Sequence, residues 1–192
     1  MTEPKILVFA GSARQGSLNK KLARLASDIA RDLGAEVTFL DLRDHPLPLY
    51  DGDLEQEEGL PEAVVSLKEL FKAQDGFVIV SPEYNGSFSP LMKNVIDWAS
   101  RQGDDAGRLE ALAGKAVGLL AAAPGPLDGV RGLAQIRQLL GGLGTYVSPK
   151  QHALKTAGKA FDDEGGLLHE ADQAAVKAVV ADVIDLARKL KA

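Results

Sequence analysis

Strand-length apolar runs alternate with stretches of helical periodicity along the 192 residues, which predicts an α/β fold: a doubly wound, five-stranded parallel sheet with helices on both faces. Two further features support this class. The runs are near-continuously apolar rather than alternating, as strands buried on both faces are. Polar loops containing glycine and serine follow the first and third runs, where an open α/β sheet presents a ligand site.

Taken in order, Ile6 to Ala10 reads as a buried strand. From Ser17 the period changes, and Leu18, Leu22, Leu25, Ile29 and Leu33 fall on one helical stripe with Lys20, Arg24 and Arg31 off it. Gly34 stops that helix. Val37 to Leu42 reads as the second strand, followed by the proline- and acid-rich loop DHPLPLYDGD. Pro61 suits a first helical turn, after which Val64, Leu67, Leu70 and Phe71 form an apolar face. GFVIV, Gly76 to Val80, is the third strand, and Leu91 to Arg101 returns to helix. AVGLLAAA is the fourth strand, Leu133 to Leu143 a helix, Thr145 to Val147 a short fifth strand, and Val176 to Leu190 a closing amphipathic helix. No repeat or linker divides the chain, so residues 1–192 are expected to form a single domain.

Right-handed crossovers restrict the winding, and the flavodoxin-like strand order 2-1-3-4-5 is the simplest that fits. Its ligand crevice lies beyond the carboxyl ends of strands one and three, where the order reverses. The first polar loop, GSARQGSLN, opens a helix there. Its backbone N–H groups and the helix dipole favour an anion. Gly11 and Gly16 permit a tight turn, Ser12, Ser17 and Asn19 add donors, and Arg14 adds a positive fork. The triphosphate loop motif fails because Ser17 and Leu18 replace its Lys and Ser/Thr, and the dinucleotide fingerprint lacks a glycine. A terminal phosphomonoester, such as that of FMN, is the better match. In the second loop, SPEYNGSFSP, Pro82 stiffens the entry and Asn85-Gly86 is a turn dipeptide able to take positive φ. The N–H groups around Tyr84, Asn85 and Gly86 can read the polar edge of a planar heterocycle.

GSARQGSLN together with SPEYNGS and LMKNVIDWAS resembles the NAD(P)H-dependent FMN reductase family, in the branch with chromate, quinone and azo-dye reductases. The resemblance extends to LPLYDGD and FDDEGGL. It implies a flavodoxin-like fold, bound FMN, NADPH or NADH as hydride donor, and homodimers or homotetramers. It further implies that Ser12, Arg14, Ser17 and Asn19, with Gly16 and Leu18 in the same loop, hold the FMN phosphate. Pro82, Glu83, Tyr84, Asn85 and Gly86 would line the isoalloxazine. The third loop, Ala123 to Gly132, is richer in proline and poorer in hydroxyls than the family pattern. Hydride transfer to a flavin starts without a protein acid, so no catalytic acid, base or nucleophile is expected, and a small-molecule electron acceptor would follow the nicotinamide into one open site in ping-pong fashion. An electron-carrier flavodoxin is the competing reading, but its Thr-x-Thr-Gly loop is absent here. A flavin-free binding domain on the same fold is a third.

In the helix from Leu91 to Arg101, Leu91, Met92, Val95, Ile96, Trp98 and Ala99 span an apolar arc of roughly 160° at about 100° per residue. That width predicts a subunit interface. Asp97 reads as a structural hydrogen-bonding residue. With 22 basic and 27 acidic residues and a net charge of -5, the chain is a poor partner for nucleic acid. It has no cysteine, which excludes thiolate chemistry and fits a cytoplasmic location. No run is long enough to span a membrane. His45, His152 and His169 lack metal-ligand spacing and read as loop or surface residues.

Overall fold

The computed structural model of the chain describes residues 3–102, 107, 109–125 and 129–191. Strand β1 (Lys5–Ala10) leads through helix α1 (Leu18–Asp32) to β2 (Glu36–Leu40). Helices α2 (Gly52–Glu58) and α3 (Glu62–Lys72) precede β3 (Gly76–Val80). Two-residue strands β4 (Glu83–Tyr84) and β5 (Ser87–Phe88) form a hairpin before α4 (Pro90–Ala99). Then come β6 (Ala116–Ala122), α5 (Val130–Gly142), β7 (Tyr146–Leu154), a short 3-10 turn at Ala157–Lys159, and α6 (Glu170–Leu190). The five-stranded sheet has the order β2-β1-β3-β6-β7, and every neighbouring pair is parallel. Leaving aside the hairpin, this is the predicted winding.

Alternate residues of each buried strand serve different layers. Ile6, Val8, Val78, Val80 and Leu120 join α1 and α6 in one core. Leu7, Phe9, Phe77, Ile79 and Leu119 join α3, α4 and α5 in the other. At Gly118, α6 comes so close to β6 that an added Cβ would lie 2.4 Å from Val183 Cγ2. No helix of the described residues is long and apolar enough to cross a membrane.

The elements depart from expectation in four places. The acid-rich loop runs directly into α2, started by the Asp51 side chain accepting the N–H of Asp53, because capping and first-turn acids favour a helix there without an apolar stripe. The last helix begins at Glu170, ahead of its first buried residue, Val176. The fifth strand is nine residues long. Val117 pairs with Val147 but Leu119 with Gln151, so the segment Ser148 to Lys150 bulges. Pro149 cannot donate to a ladder and is tolerated because β7 is an edge, while Ser148 Oγ donates to Asp182 of α6. Lys20, expected off the buried stripe, is 6% exposed, because its ammonium reaches Asp41 just beyond β2 at 2.7 Å.

Helix α4 answers differently from its sequence expectation. Met92, Val95, Ile96, Trp98 and Ala99 are all buried, and the chain itself covers them. Trp98 Nε1 and Asn94 Nδ2 both donate to the carbonyl of Pro48 at 2.8 Å, and Tyr50 N donates back to Asn94 Oδ1. The Tyr50 ring stands edge-on to Trp98 with centroids 5.0 Å apart. The broad apolar arc thus reflects sheet packing on one side and the segment from Leu47 to Tyr50 on the other, and is no evidence for a second subunit. Asp97 pairs with Lys93 on the surface.

Candidate functional site

Where β1 ends, Gly11 N donates to Val80 O of β3, and Ser89 Oγ donates to Gly11 O at 2.6 Å. The two polar loops are therefore joined at their roots. A Cβ at Gly11 would lie 3.0 Å from both Met92 Cβ and Ser89 Oγ, whereas Gly16 has open space around it; of the two, only the first glycine is crowded. Ser17 caps α1 by accepting the N–H of Lys20. Ser12 Oγ accepts the N–H of Arg14 at 3.4 Å. Both serines are buried, at 5% and 4% exposure. Among the described residues neither hydroxyl proton has an acceptor. Leu18 and Asn19, the first two residues of α1, leave N–H groups that no helical carbonyl can satisfy. Arg14 is exposed and has no ion-pair partner among the described residues. The loop thus concentrates free donors.

Asn19 does a different job from the one its sequence position suggests. Its Nδ2 donates to Ala122 O at 2.8 Å, and its Oδ1 accepts Ala122 N at 2.9 Å. Because the backbone N–H can only donate, the amide orientation is fixed. The side chain ties the start of α1 to the end of β6 in the manner of a strand partner, leaving at most one N–H for a ligand.

The second loop folds as the β4–β5 hairpin, with Glu83 opposite Phe88 and Tyr84 opposite Ser87. Asn85 and Gly86 have φ of 53° and 81°, the pair of positive values a two-residue type I′ turn requires. Helix α5 holds the hairpin down. Gln135 donates to Gly86 O and accepts from Ser87 Oγ, each at 2.7 Å. Glu83 Oε2 accepts the N–H groups of Arg131 and Gly132 at 3.1 Å, so a carboxylate from a distant loop caps α5. Oε1 accepts from the Arg131 guanidinium, with Nε at 2.8 Å.

Burial would push the Glu83 carboxyl up; the Gly132 N–H, the Arg131 guanidinium and the Arg131 N–H outweigh it and hold the group below its ordinary range. Its stabilisation is therefore complete above the unfolded carboxyl range, about pH 4.3, and fades as pH falls through the folded value. Glu83→Gln should be less stable than wild type near neutral pH and lose less on acidification. Urea unfolding at about pH 7 and about pH 4 checks this; equal losses in the two chains would refute it.

Ser12, Arg14, Gly16, Ser17, Leu18, Asn19, Pro82, Glu83 and Tyr84 line one cleft of about 370 Å³. Asn85 and Gly86 form the hairpin tip outside that lining, with Gly86 facing Arg131. Ala122, Ala123 and Pro124 complete the wall. The sequence marked their loop but gave no signal at these residues, whose backbone rather than side chains places them there. Positions 126–128 of that loop lie outside the described residues.

The NADPH-dependent FMN reductase family model matches residues 4–159. The chain belongs to that family. It is 40% identical over 139 residues to a quinone reductase of Escherichia coli strain K12, spanning 71% of this chain and 69% of that one. It is 32% identical over 192 residues to an NAD(P)H:quinone oxidoreductase of Solanum tuberosum, spanning 97% and 94%. The solved structure of FerB, a flavoenzyme NAD(P)H:(acceptor) oxidoreductase from Paracoccus denitrificans, superposes with a TM-score of 0.82 at 27% identity over 97% of this chain and 98% of that one. As a member of the FMN reductase family the chain is an oxidoreductase using FMN and a nicotinamide donor, and the carrier and flavin-free readings give way. None of the three histidines lines the cleft of this FMN reductase family member. His152 is less peripheral than expected: it sits on β7 and its Nε2 lies 3.0 Å from Asp172 Oδ1 of α6.

Proposed function

We propose that the chain holds FMN in this cleft as one unit of residues 1–192, takes hydride from NADPH or NADH, and reduces a small-molecule acceptor by a ping-pong route. Quinones are the first acceptors to test, with azo compounds, chromate and free flavin as further members of the class. One observation carries the reading: two buried serine hydroxyls, each accepting a single backbone N–H, have protons left to donate, beside the free helix N–H groups and unpaired Arg14. A phosphate monoester supplies acceptors and negative charge and nothing else, which is the complement of such a site.

Ser12, Arg14, Gly16, Ser17, Leu18 and Asn19 hold the phosphate, Asn19 chiefly by positioning. Pro82, Glu83 and Tyr84 flank the ring, and Asn85 with Gly86 shapes the turn that carries them. When bound, FMN supplies two-electron chemistry between nicotinamide and acceptor. The chain supplies orientation, a wall that stays fixed because Glu83 and Gln135 lock it to α5, and an open side for the two substrates in turn. Tyr84, 45% exposed, is placed to cover a ring lying on the cleft. A cytoplasmic location is part of the reading, and the absence of cysteine permits it. Assembly into homodimers or homotetramers near α4 is supported by Leu49, 80% exposed beside that helix, and no longer by the helix's apolar arc.

Purified protein should show flavin absorption, or gain it with FMN, and bleach anaerobically with NADPH or NADH before a quinone restores it. A chain that stays colourless after incubation with FMN would sink the proposal. Arg14→Gln should weaken FMN binding by about tenfold to a hundredfold, the scale of a charge-assisted contact, while riboflavin, which lacks the phosphate, binds both chains alike. Fluorescence titration separates these outcomes.

A further inference from the structure

A second cavity, of about 200 Å³, lies on the far side of the first loop, between α1 and the chain just after β2. Ser17, Lys20, Lys21, Arg24, Asp41 and Arg43 line it. Ser17 is also part of the cleft wall, so the two spaces adjoin. We propose that this cavity is a second phosphate-monoester site, distinct from the one that grips the flavin.

Charge is the first ground. Four cations meet one carboxylate in a chain whose net charge is -5. That carboxylate is already engaged: Asp41 takes the buried Lys20 ammonium at 2.7 Å and accepts Arg43 N at 3.0 Å. Lys21, Arg24 and Arg43 make no ion pair within 4.0 Å among the described residues, although the Arg24 charge acts on Asp41 from further away. Clustered like charges repel one another, and an anion between them removes that cost.

Construction is the second ground. The Arg24 guanidinium lies 5.1 Å from the centroid of Phe39, and the Lys21 ammonium 5.9 Å from that of Phe161. An aromatic face restrains a cation without neutralising it, so both groups are held in place with their charge available. Lys21, Arg24 and Arg43 suit a phosphate monoester, which carries about -2 at neutral pH, and guanidinium forks match its oxygens.

Size is the third. The cavity, about 200 Å³, has room for a phosphate group. Because Ser17 lines both spaces, a larger ligand held here by its phosphate has the cleft beside it. Two sources offer this chemistry: the 2′-phosphate of NADPH, whose nicotinamide end works in the cleft, and free inorganic phosphate. The first rests on the donor reading above; the second does not.

Inorganic phosphate titrated calorimetrically into FMN-loaded protein, against chloride at matched ionic strength, tests the site. Wild type should bind it, and Arg24→Gln/Arg43→Gln should lose about tenfold or more in affinity, with the flavin spectrum unchanged. Steady-state kinetics on the same chains names the source. A tenfold higher KM for NADPH with KM for NADH unmoved identifies the 2′-phosphate, whereas lost phosphate binding with both KM values unmoved identifies the free ion. Equal phosphate affinity in the two chains overturns the proposal. Should the double variant fold poorly, Arg43→Gln, at an exposed position, takes its place with a smaller loss expected. Should FMN fail to load, the comparison is run on the unloaded chain, where the first loop is common to both and a difference still reads the second cavity.

Discussion

Replacing Asn19 with leucine is expected to lower folding stability by about 3 kcal/mol and to weaken FMN binding at the same time. The side chain is 5% exposed and makes paired hydrogen bonds to both backbone groups of Ala122. Leucine keeps much of the volume but leaves a buried N–H and a buried C=O without partners. Each orphaned group costs about 1–3 kcal/mol. The lost tie also frees the start of α1 from the end of β6, two of the walls of the cleft. Asn19→Asp should be little better: it can accept from Ala122 N but cannot donate to Ala122 O. Urea unfolding and flavin titration on the same preparations check both halves. A change in stability below about 0.5 kcal/mol, the range of an ordinary surface substitution, would contradict the role assigned to Asn19.

Gly118→Ala is expected to cost about 3 kcal/mol. A methyl group there would sit 2.4 Å from Val183 Cγ2 and 3.0 Å from Val179 Cγ1. Both obstructing residues are valines on a helix, where the β-branch leaves one favoured rotamer, so neither can swing aside. Relief has to come from α6 moving off the sheet, at the expense of packing around Val180 and Ile184. Val183→Ala alone should also destabilise, by opening space. The double change Gly118→Ala/Val183→Ala should cost clearly less than the two separate losses added together, because the new methyl occupies what the valine vacated. Strict additivity in thermal or urea unfolding would show that the contact is not the cause.

The winding was legible from residues because Ile6 to Phe9, Gly76 to Val80 and Ala116 to Ala122 are apolar on both faces and of strand length, as the central strands of a parallel sheet are. Edges were not: the bulged half of β7, Ser148 to His152, is polar because one side meets solvent, and α2 has no buried residue at all. At the cleft, residue type was enough to find the loops, since glycine, serine and arginine after a buried strand have few other uses. Residue type did not tell which donors remain available. Asn19 turns to Ala122 and Glu83 to the start of α5, and both commitments depend on elements over forty residues away in the chain. The same limit hid what covers α4 within the chain. Its apolar arc was real, but the surface covering it, Pro48 and Tyr50, carries no apolar pattern of its own and is held by hydrogen bonds.

That seating gives the molecule a built-in optical gauge. Trp98 is the sole indole in the chain, and it is shut away from water with its N–H engaged. Its emission should be blue-shifted in the native state and should redden when the segment from Leu47 to Tyr50 lifts, even if the sheet stays intact. A red shift that precedes the loss of far-ultraviolet ellipticity would then time the departure of this one segment from the rest of the molecule.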